Sequence, residues 1–409
     1  MKKKRLLAIN ALSFGSTGKI MQGICREATL SGYETQMYVR TDAKPMYQES
    51  EIFNVNSSFF NKLSMALNKL TGLEGHFAFL ATKRLIKRIK RFAPDIIHLH
   101  IMHSGYLHLP SLFRYLKKSK IPVVWTFHDC WAMTGHCPHF AYEKCEKWKT
   151  GCYQCPRYKE YPKSLYDNSR FMWRKKKRWF SSLPDLTIAT PSQWLAGFVK
   201  DSYLKEHSVR VIHNGIDLNV FSPSDSASVI EKYNLQNKKI LLGIASSWSD
   251  KKGLDVFIAL AGRLSSEYQI VLVGTNDVID AQLPETIISI HRTENQKQLA
   301  ELYSAADLFV NPTREDTFPT VNIESLACGT PVLTFQTGGS PEIIDDTCGA
   351  VVACDDIDAL QKEIIRICTE KPYTKDACLK RAQAFDMRSR FADYVLLCDE
   401  ILERKSHIV

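Results

Sequence analysis

Two doubly wound α/β domains in series are what this chain predicts, and three observations predict them. At 409 residues it is too long for one core and suits two of roughly 200 residues each. Short apolar runs alternate with amphipathic helical stretches, the pattern of a parallel sheet covered on both faces. That layout occurs on both sides of a polar stretch, 214–228, which carries Gly215 and Pro223 and reads as a linker. Two such domains place a ligand cleft where the carboxyl ends of both sheets face each other.

In chain order, the first half offers strands at 5–10, 35–39, 95–100, 122–127, 186–189 and 209–212. The second offers 240–245, 269–273, 287–290, 308–311 and 331–335. The expected division is 1–222, holding a cysteine-rich insert at about 130–156, and 223–390, with a last helix, 391–409, packing back on the first domain. The composition, 44% hydrophobic and 24% charged, excludes disordered and fibrous classes. No apolar run approaches the roughly 20 residues of a membrane span. The N-terminal apolar stretch, Leu6 to Ile9, is shorter than the roughly 7–15 residues of a secretory core, so a cytoplasmic chain is expected.

A net charge of +10 calls for an acidic partner. Residues 83–93 hold six basic residues and no acid, with Leu85, Ile86, Ile89, Phe92 and Ala93 on one helical face. Residues 171–180 set five basic residues between aromatic ends. Each reads as a solvated charged face or as a surface for anionic lipid, the second implying peripheral attachment to the inner face of the cytoplasmic membrane.

The stretch 311–342 carries the most chemistry. It reads as strand, loop, helix, strand, with Pro319 in the first helical turn and Gly329 just past the helix end. A helix opening at a strand's carboxyl end offers free N–H groups and a positive dipole, which suits a diphosphate. Glu315, Asp316 and Glu324 flank that point. Carboxylates beside a phosphate are unfavourable unless they bind hydroxyls, which sugars supply; otherwise Glu324 is an exposed helix carboxylate. Upstream, Lys252-Gly253 opens a helix after strand 240–245. In the first half His128 and Asp129 stand at the end of a strand, and the loop Phe14-Gly15-Ser16-Thr17-Gly18 follows the first strand and lets backbone approach a ligand. His98 and His100 alternate on their strand and read as packing residues.

The runs ESLACGTPV and GGSPE resemble family 4 of the retaining glycosyltransferases, which have the GT-B fold. The resemblance implies that Glu324 binds the donor ribose and that Glu315 or Asp316 stands for the family's first motif carboxylate. Thr320 and Val321 open the donor-binding helix. Lys252 neutralises the leaving diphosphate, and Ser246 and Ser247 occupy the position where an arginine is usual. His128 hydrogen-bonds the donor sugar, while Gly15 and Gly18 lie near the donor phosphate and acceptor. No catalytic metal is expected.

Cys137, Cys145, Cys152 and Cys155 are spaced x7, x6 and x2, a pattern of structural zinc knuckles. His136 and His139 are reserve ligands, and Cys130 lies outside the spacing. The run Trp131-x-x-Thr134-Gly135-His136-Cys137 is similar to colanic-acid and other exopolysaccharide glycosyltransferases. The expectation is a retaining enzyme of bacterial surface polysaccharide synthesis. It moves sugar from a nucleotide-diphosphate donor to a lipid-linked or oligosaccharide acceptor and has no nucleic-acid partner. The alternatives are a nucleotide-sugar epimerase on the same fold and a basic nucleic-acid-binding protein with a zinc knuckle.

Overall fold

The computed structural model describes residues 3–48 and 50–406. It divides into two compact units, Met1–His213 with Arg388–Val409, and Asn214–Met387. In the first unit the strands are β1 (Arg5–Asn10), β2 (Glu34–Val39), β3 (Ile52–Asn54), β4 (Ile96–Leu99), β5 (Val123–Thr126), β6 (Leu186–Thr190) and β7 (Ser208–Val211). They form one sheet in the order β3-β2-β1-β4-β5-β6-β7. Every pairing is parallel; Leu6 lies beside Thr35 on one side and Ile96 on the other. The second unit contributes β8 (Lys239–Ile244), β9 (Tyr268–Val273), β10 (Ile287–Ile290), β11 (Leu308–Asn311), β12 (Val332–Phe335) and β13 (Gly349–Val352). Their order is β10-β9-β8-β11-β12-β13, again all parallel.

Central strands are covered by helices on both faces, so β4, β5, β6, β11 and β12 are buried at every position with no alternation. In each sheet the chain winds outward from a first strand and then reverses, leaving a switch point at β1/β4 and at β8/β11. Loops leaving the carboxyl ends there are where ligands of such sheets bind. The edge strands β3 and β13 were not legible. One has three residues, largely exposed, and the other begins with glycine.

The stretch after His213 is not a free linker. The Ile216 N–H donates to the Phe385 carbonyl and the Met387 N–H to the Ile216 carbonyl, both at 3.0 Å. Phe221 is buried against Tyr303. These bonds put the boundary at His213–Asn214 instead of near Ser222, and the second unit ends at Met387 instead of residue 390. From Arg388 onward, helix Met387–Ser406 belongs with the first unit. A Cβ on Gly23 would sit 2.1 Å from the Phe391 ring, so only glycine lets the two helices meet there. Tyr33 donates to Asp399 at 2.6 Å, and Arg210 pairs with Glu400 at 3.1 Å.

The two basic segments part company. In helix Phe79–Phe92, Leu85, Ile89 and Phe92 are buried and all six basic residues are exposed, while Ala93 is the left-handed cap. In helix Ser169–Phe180 the inward stripe is Met172, Trp173, Lys176 and Phe180. Lys176 is therefore no surface charge. Its ammonium donates to the Trp131 and Thr134 carbonyls at 2.8 and 3.0 Å and lies 3.3 Å from the Trp131 ring centre. Burial draws it down to about 7. Among the described residues no helix is long and apolar enough to cross a membrane.

Candidate active site

In the second unit, two loops at the β8/β11 switch point are forced close together. After β8, Ala245 leads through exposed Ser246 and Ser247 to the short turn Asp250–Lys252, which Gly253 ends at φ +76°. A Cβ on Gly253 would lie 2.5 Å from the Pro312 carbonyl oxygen. The Arg314 N–H donates to the Lys251 carbonyl at 2.8 Å. The Arg314 guanidinium then clasps Asp255 at 2.7 and 2.8 Å and Asp355 at 2.6 Å. With both loops clamped, Lys252 Nζ reaches Asp316 Oδ2 at 2.6 Å. Glu315, one residue earlier, is 8% exposed. The carboxylate facing the lysine is thus Asp316. Gly338 secures it from behind: at φ +57°, its Cβ would lie 1.8 Å from the Asp316 carbonyl oxygen.

Helix Thr320–Ala327 opens beside this pair. Pro319 is its N-cap, in extended conformation, and not a residue of its first turn; it offers no side-chain acceptor to the first N–H groups. A buried polar chain fixes the helix start. Asn311 donates to Asn322, Asn322 to Ser340, and Ser340 meets Thr334, each at 2.7 Å. Glu324 is half-buried and accepts from Tyr303 at 3.1 Å and Thr320 at 3.4 Å. The Val321 side chain packs on the core, which leaves its backbone N–H as the group able to meet a ligand. Taken together, a lysine, a helix N-terminus and two carboxylates converge where an anion carrying hydroxyls would fit.

In the first unit, His128 follows β5 and does not stand alone. Its Nε2 lies 3.1 Å from His100 Nδ1, the two rings stack at 5.4 Å, and His100 lies 4.2 Å from His98. His98 in turn bonds Thr126 at 2.8 Å. The alternating His98 and His100 are therefore more than packing, for His100 orients His128. Burial lowers His128 to about 4 and His98 to about 3, so both are neutral at pH 7 and available as hydrogen-bonding groups. Asp129 serves a different partner. Its Oδ2 meets His103 Nε2 at 3.0 Å and its Oδ1 accepts the Trp131 N–H at 2.8 Å. Burial alone would raise this carboxyl, yet His103 and the Trp131 N–H hold it at about 2. The glycine loop after β1 is compact. Gly15 has φ +70° in open space, whereas a Cβ on Gly18 would lie 2.4 Å from the Ser13 backbone.

Cys137, Cys145, Cys152 and Cys155 line one small cavity together with His136. The Gly135 N–H donates to Cys152 Sγ at 3.1 Å. Among the described residues no three of these sulfurs lie within 4.8 Å of one another; the set meeting that spacing is Asp277, Asp280 and His291. That second set lies at the surface, with Asp280 accepting from Ser289 at 2.5 Å.

The buried histidines carry a pH dependence. The unfolded chain takes up protons on them near pH 6.5, whereas the folded chain does so near 4 for His128 and His136 and near 3 for His98. Between those values the unfolded state binds more protons. Stability is thus fully present above about pH 6.5 and falls as the pH drops, by up to roughly 1.4 kcal/mol per pH unit for each histidine. Urea unfolding at about pH 7.5 and about pH 5 should show the loss, and His98→Gln should shrink it. Identical midpoints at both pH values would contradict the burial assigned here.

Sequence comparison matches residues 225–385 to the family described as glycosyl transferases group 1 and residues 20–220 to glycosyltransferase family 4. One relative, WcaC of Escherichia coli K12, named for colanic acid biosynthesis glycosyl transfer, is 26% identical over 75% of each chain. Among solved structures, sucrose-phosphate synthase of Thermosynechococcus elongatus superposes with TM-score 0.71 at 17% identity, covering 98% of this chain and 100% of its own. Anabaena HepE in complex with UDP gives 0.66 at 14% identity over 98% and 100%. With one match on each unit and the same architecture in both neighbours, the chain belongs to the group 1 and family 4 glycosyltransferases and has their GT-B fold.

Proposed function

We propose that the protein transfers a sugar, with retention of anomeric configuration, from a nucleotide-diphosphate donor to a glycan acceptor of a bacterial surface polysaccharide. The observation that carries this reading is the Lys252–Asp316 pair beside helix Thr320–Ala327, with Glu324 one helical turn further on. The colanic acid relative supports the pathway class, and the UDP-bound neighbour makes UDP-sugars the first donors to try.

As the glycosidic bond to the diphosphate breaks, negative charge grows on the departing oxygen and positive character on the sugar. Lys252 and the helix N–H groups oppose the first, and Asp316 steadies the second. The acceptor hydroxyl attacks from the face the diphosphate leaves and gives that diphosphate its proton, so the mechanism requires no separate base. Glu324 binds the ribose hydroxyls, and neutral His128 hydrogen-bonds the transferred sugar. The positive field comes from this chain's own groups, so no catalytic metal enters the reading.

Lys252→Ala should lower kcat on the order of 100-fold, the loss of one well-placed electrostatic group. Asp316→Ala should cost more turnover than Glu315→Ala, while Glu324→Ala should chiefly raise KM for the donor. His128→Ala should lower turnover with little change in nucleotide affinity. Steady-state kinetics on a panel of UDP-sugars, with the product anomer read by NMR, tests all of these. An inverted product or an unimpaired Lys252→Ala enzyme would refute the assignment.

The six exposed cations of helix Phe79–Phe92, continued by Arg114 and Lys118 along an adjoining groove, support peripheral attachment to anionic membrane. Changing Lys87, Arg88, Lys90 and Arg91 to Gln should reduce sedimentation with anionic liposomes at low salt. Wild-type protein that never sediments sinks the idea.

The shared cavity of Cys137, Cys145, Cys152 and Cys155 and the N–H bond to Cys152 support a structural zinc, which would require the side chains to draw inward. Elemental analysis of protein purified without chelator should find about one zinc per chain. Metal-free, fully folded protein would count against it.

A further inference from the structure

A second site lies within the first unit, where the loops after β2 and β4 meet helix Ser58–Thr71 and the residues following the cysteine-rich segment. The space there is a cavity of about 380 Å³ whose lining includes Arg40, Asn68, Lys69, Glu74, Tyr161 and Lys163. We propose that this cavity is the acceptor subsite and that it takes a saccharide carrying a phosphate group. This inference rests on the transferase reading and names the acceptor chemistry.

The charge is one argument. Three cations surround the cavity, and among the described residues none of them forms an ion pair. Glu74, the lone carboxylate of the lining, is buried and accepts the Gly105 N–H at 2.7 Å. The Arg40 guanidinium meets the Met65 sulfur at 3.9 Å, and its Nε is buried without a partner. Asn68 is 7% exposed, and its Oδ1 has no partner either. Buried polar atoms left open at a cavity are groups a ligand satisfies. An arginine fork flanked by two lysines suits phosphate oxygens.

The walls are built before any ligand arrives. The Leu165 N–H donates to the Lys69 carbonyl at 2.7 Å and Asn168 to the Thr71 carbonyl at 2.5 Å, pinning the loop to the end of the helix. A Cβ on Gly72, at φ +70°, would lie 2.6 Å from the Tyr166 carbonyl oxygen. Ser104 holds φ +86°, a left-handed conformation that is strained for a non-glycine residue and clusters at functional sites.

Hydroxyl recognition is adjacent. Tyr161 OH lies 3.1 Å from His103 Nδ1 and 3.2 Å from Ser104 Oγ, and His103 continues to Asp129, the neighbour of His128. The cavity therefore joins a phosphate-binding end to hydroxyl partners that lead toward the histidine assigned to the sugar. Alongside, the helix exposes Phe59, Phe60, Leu63 and Leu70, between 49% and 71% each. A lipid carrier would cover such a stripe, and a saccharide linked through diphosphate supplies phosphate and lipid at once.

The test uses the full chain saturated with UDP, so that the nucleotide site cannot take up the probes. Citronellyl diphosphate, glucose 1-phosphate and glucose are titrated by calorimetry. At least one phosphate probe should bind and glucose should not. Changing Arg40, Lys69 and Lys163 together to Gln should weaken that binding by about tenfold or more at unchanged Tm. Lys163→Glu alone, at an exposed position, should weaken it too and stands in if the triple variant misfolds. Tighter binding of citronellyl diphosphate assigns a lipid-linked acceptor; tighter binding of glucose 1-phosphate assigns a free phosphorylated glycan. Phosphate probes that bind no better than glucose, or bind the variants as well as wild type, overturn the proposal. If the wild-type protein binds none of UDP, GDP and ADP, the donor-site reading fails instead; if it binds GDP or ADP alone, that nucleotide replaces UDP in the titration.

Discussion

The close approach of two loops at Gly253 and Pro312 is the constraint on which the second unit's chemistry depends. The Lys252–Asp316 pair it creates is about a quarter to a third exposed, and such pairs contribute little to stability, roughly 0–1 kcal/mol. Its consequence is positional. Arg314 spends its guanidinium on Asp255 and Asp355, Gly338 makes room for the Asp316 backbone, and the Asn311–Asn322–Ser340 chain fixes the helix start. Each restrains a loop that would otherwise need a ligand to order it. Preorganisation of this kind lets a cation oppose charge growing on a leaving group without reorganising at that moment.

The first unit achieves a comparable end by burial instead of pairing. His98, His100 and His128 descend from the sheet interior toward the strand end, and burial is what chiefly keeps all three uncharged. A neutral His128 can offer or accept one hydrogen bond without repelling the positive character that develops on a sugar. Asp129 is kept charged by His103 and is spent on a separate dyad, so the two adjacent side chains serve different ends of the strand-terminal loop.

Much of this was legible because it follows from chain-local rules. Apolar runs of four to six residues marked the central strands. Lys252-Gly253 and Pro319 marked the two helix entries. Of what escaped, all but one feature needed three dimensions. The basic run 174–178 looks uniform, although Met172, Trp173, Lys176 and Phe180 share one helical face and periodicity alone could have set Lys176 apart. His100 was read as packing because its partner, His128, comes from the loop after the neighbouring strand β5. The polar stretch after residue 213 resembled a linker, since the hydrogen bonds that claim it come from Phe385 and Met387, far along the chain. Four cysteines at ligand-like spacing share a cavity, yet spacing in sequence does not set the distance between sulfurs.

The segment that carries those cysteines has little regular structure, and this shapes how it can work. Buried backbone polar groups in such a loop must be satisfied by side chains. Here Lys176 takes the Trp131 and Thr134 carbonyls, the Tyr203 hydroxyl takes that of Ala132, and Arg157 takes that of His139. A lysine buried at this depth is costly, and its ammonium is tolerated because two carbonyls and the Trp131 face replace its water. The loop is thus hung on a few polar tethers, and one of its ends passes His128 while the other reaches Tyr161 and Lys163. A shift of the four cysteines would therefore act on His128 and on the cavity wall through the same stretch of chain.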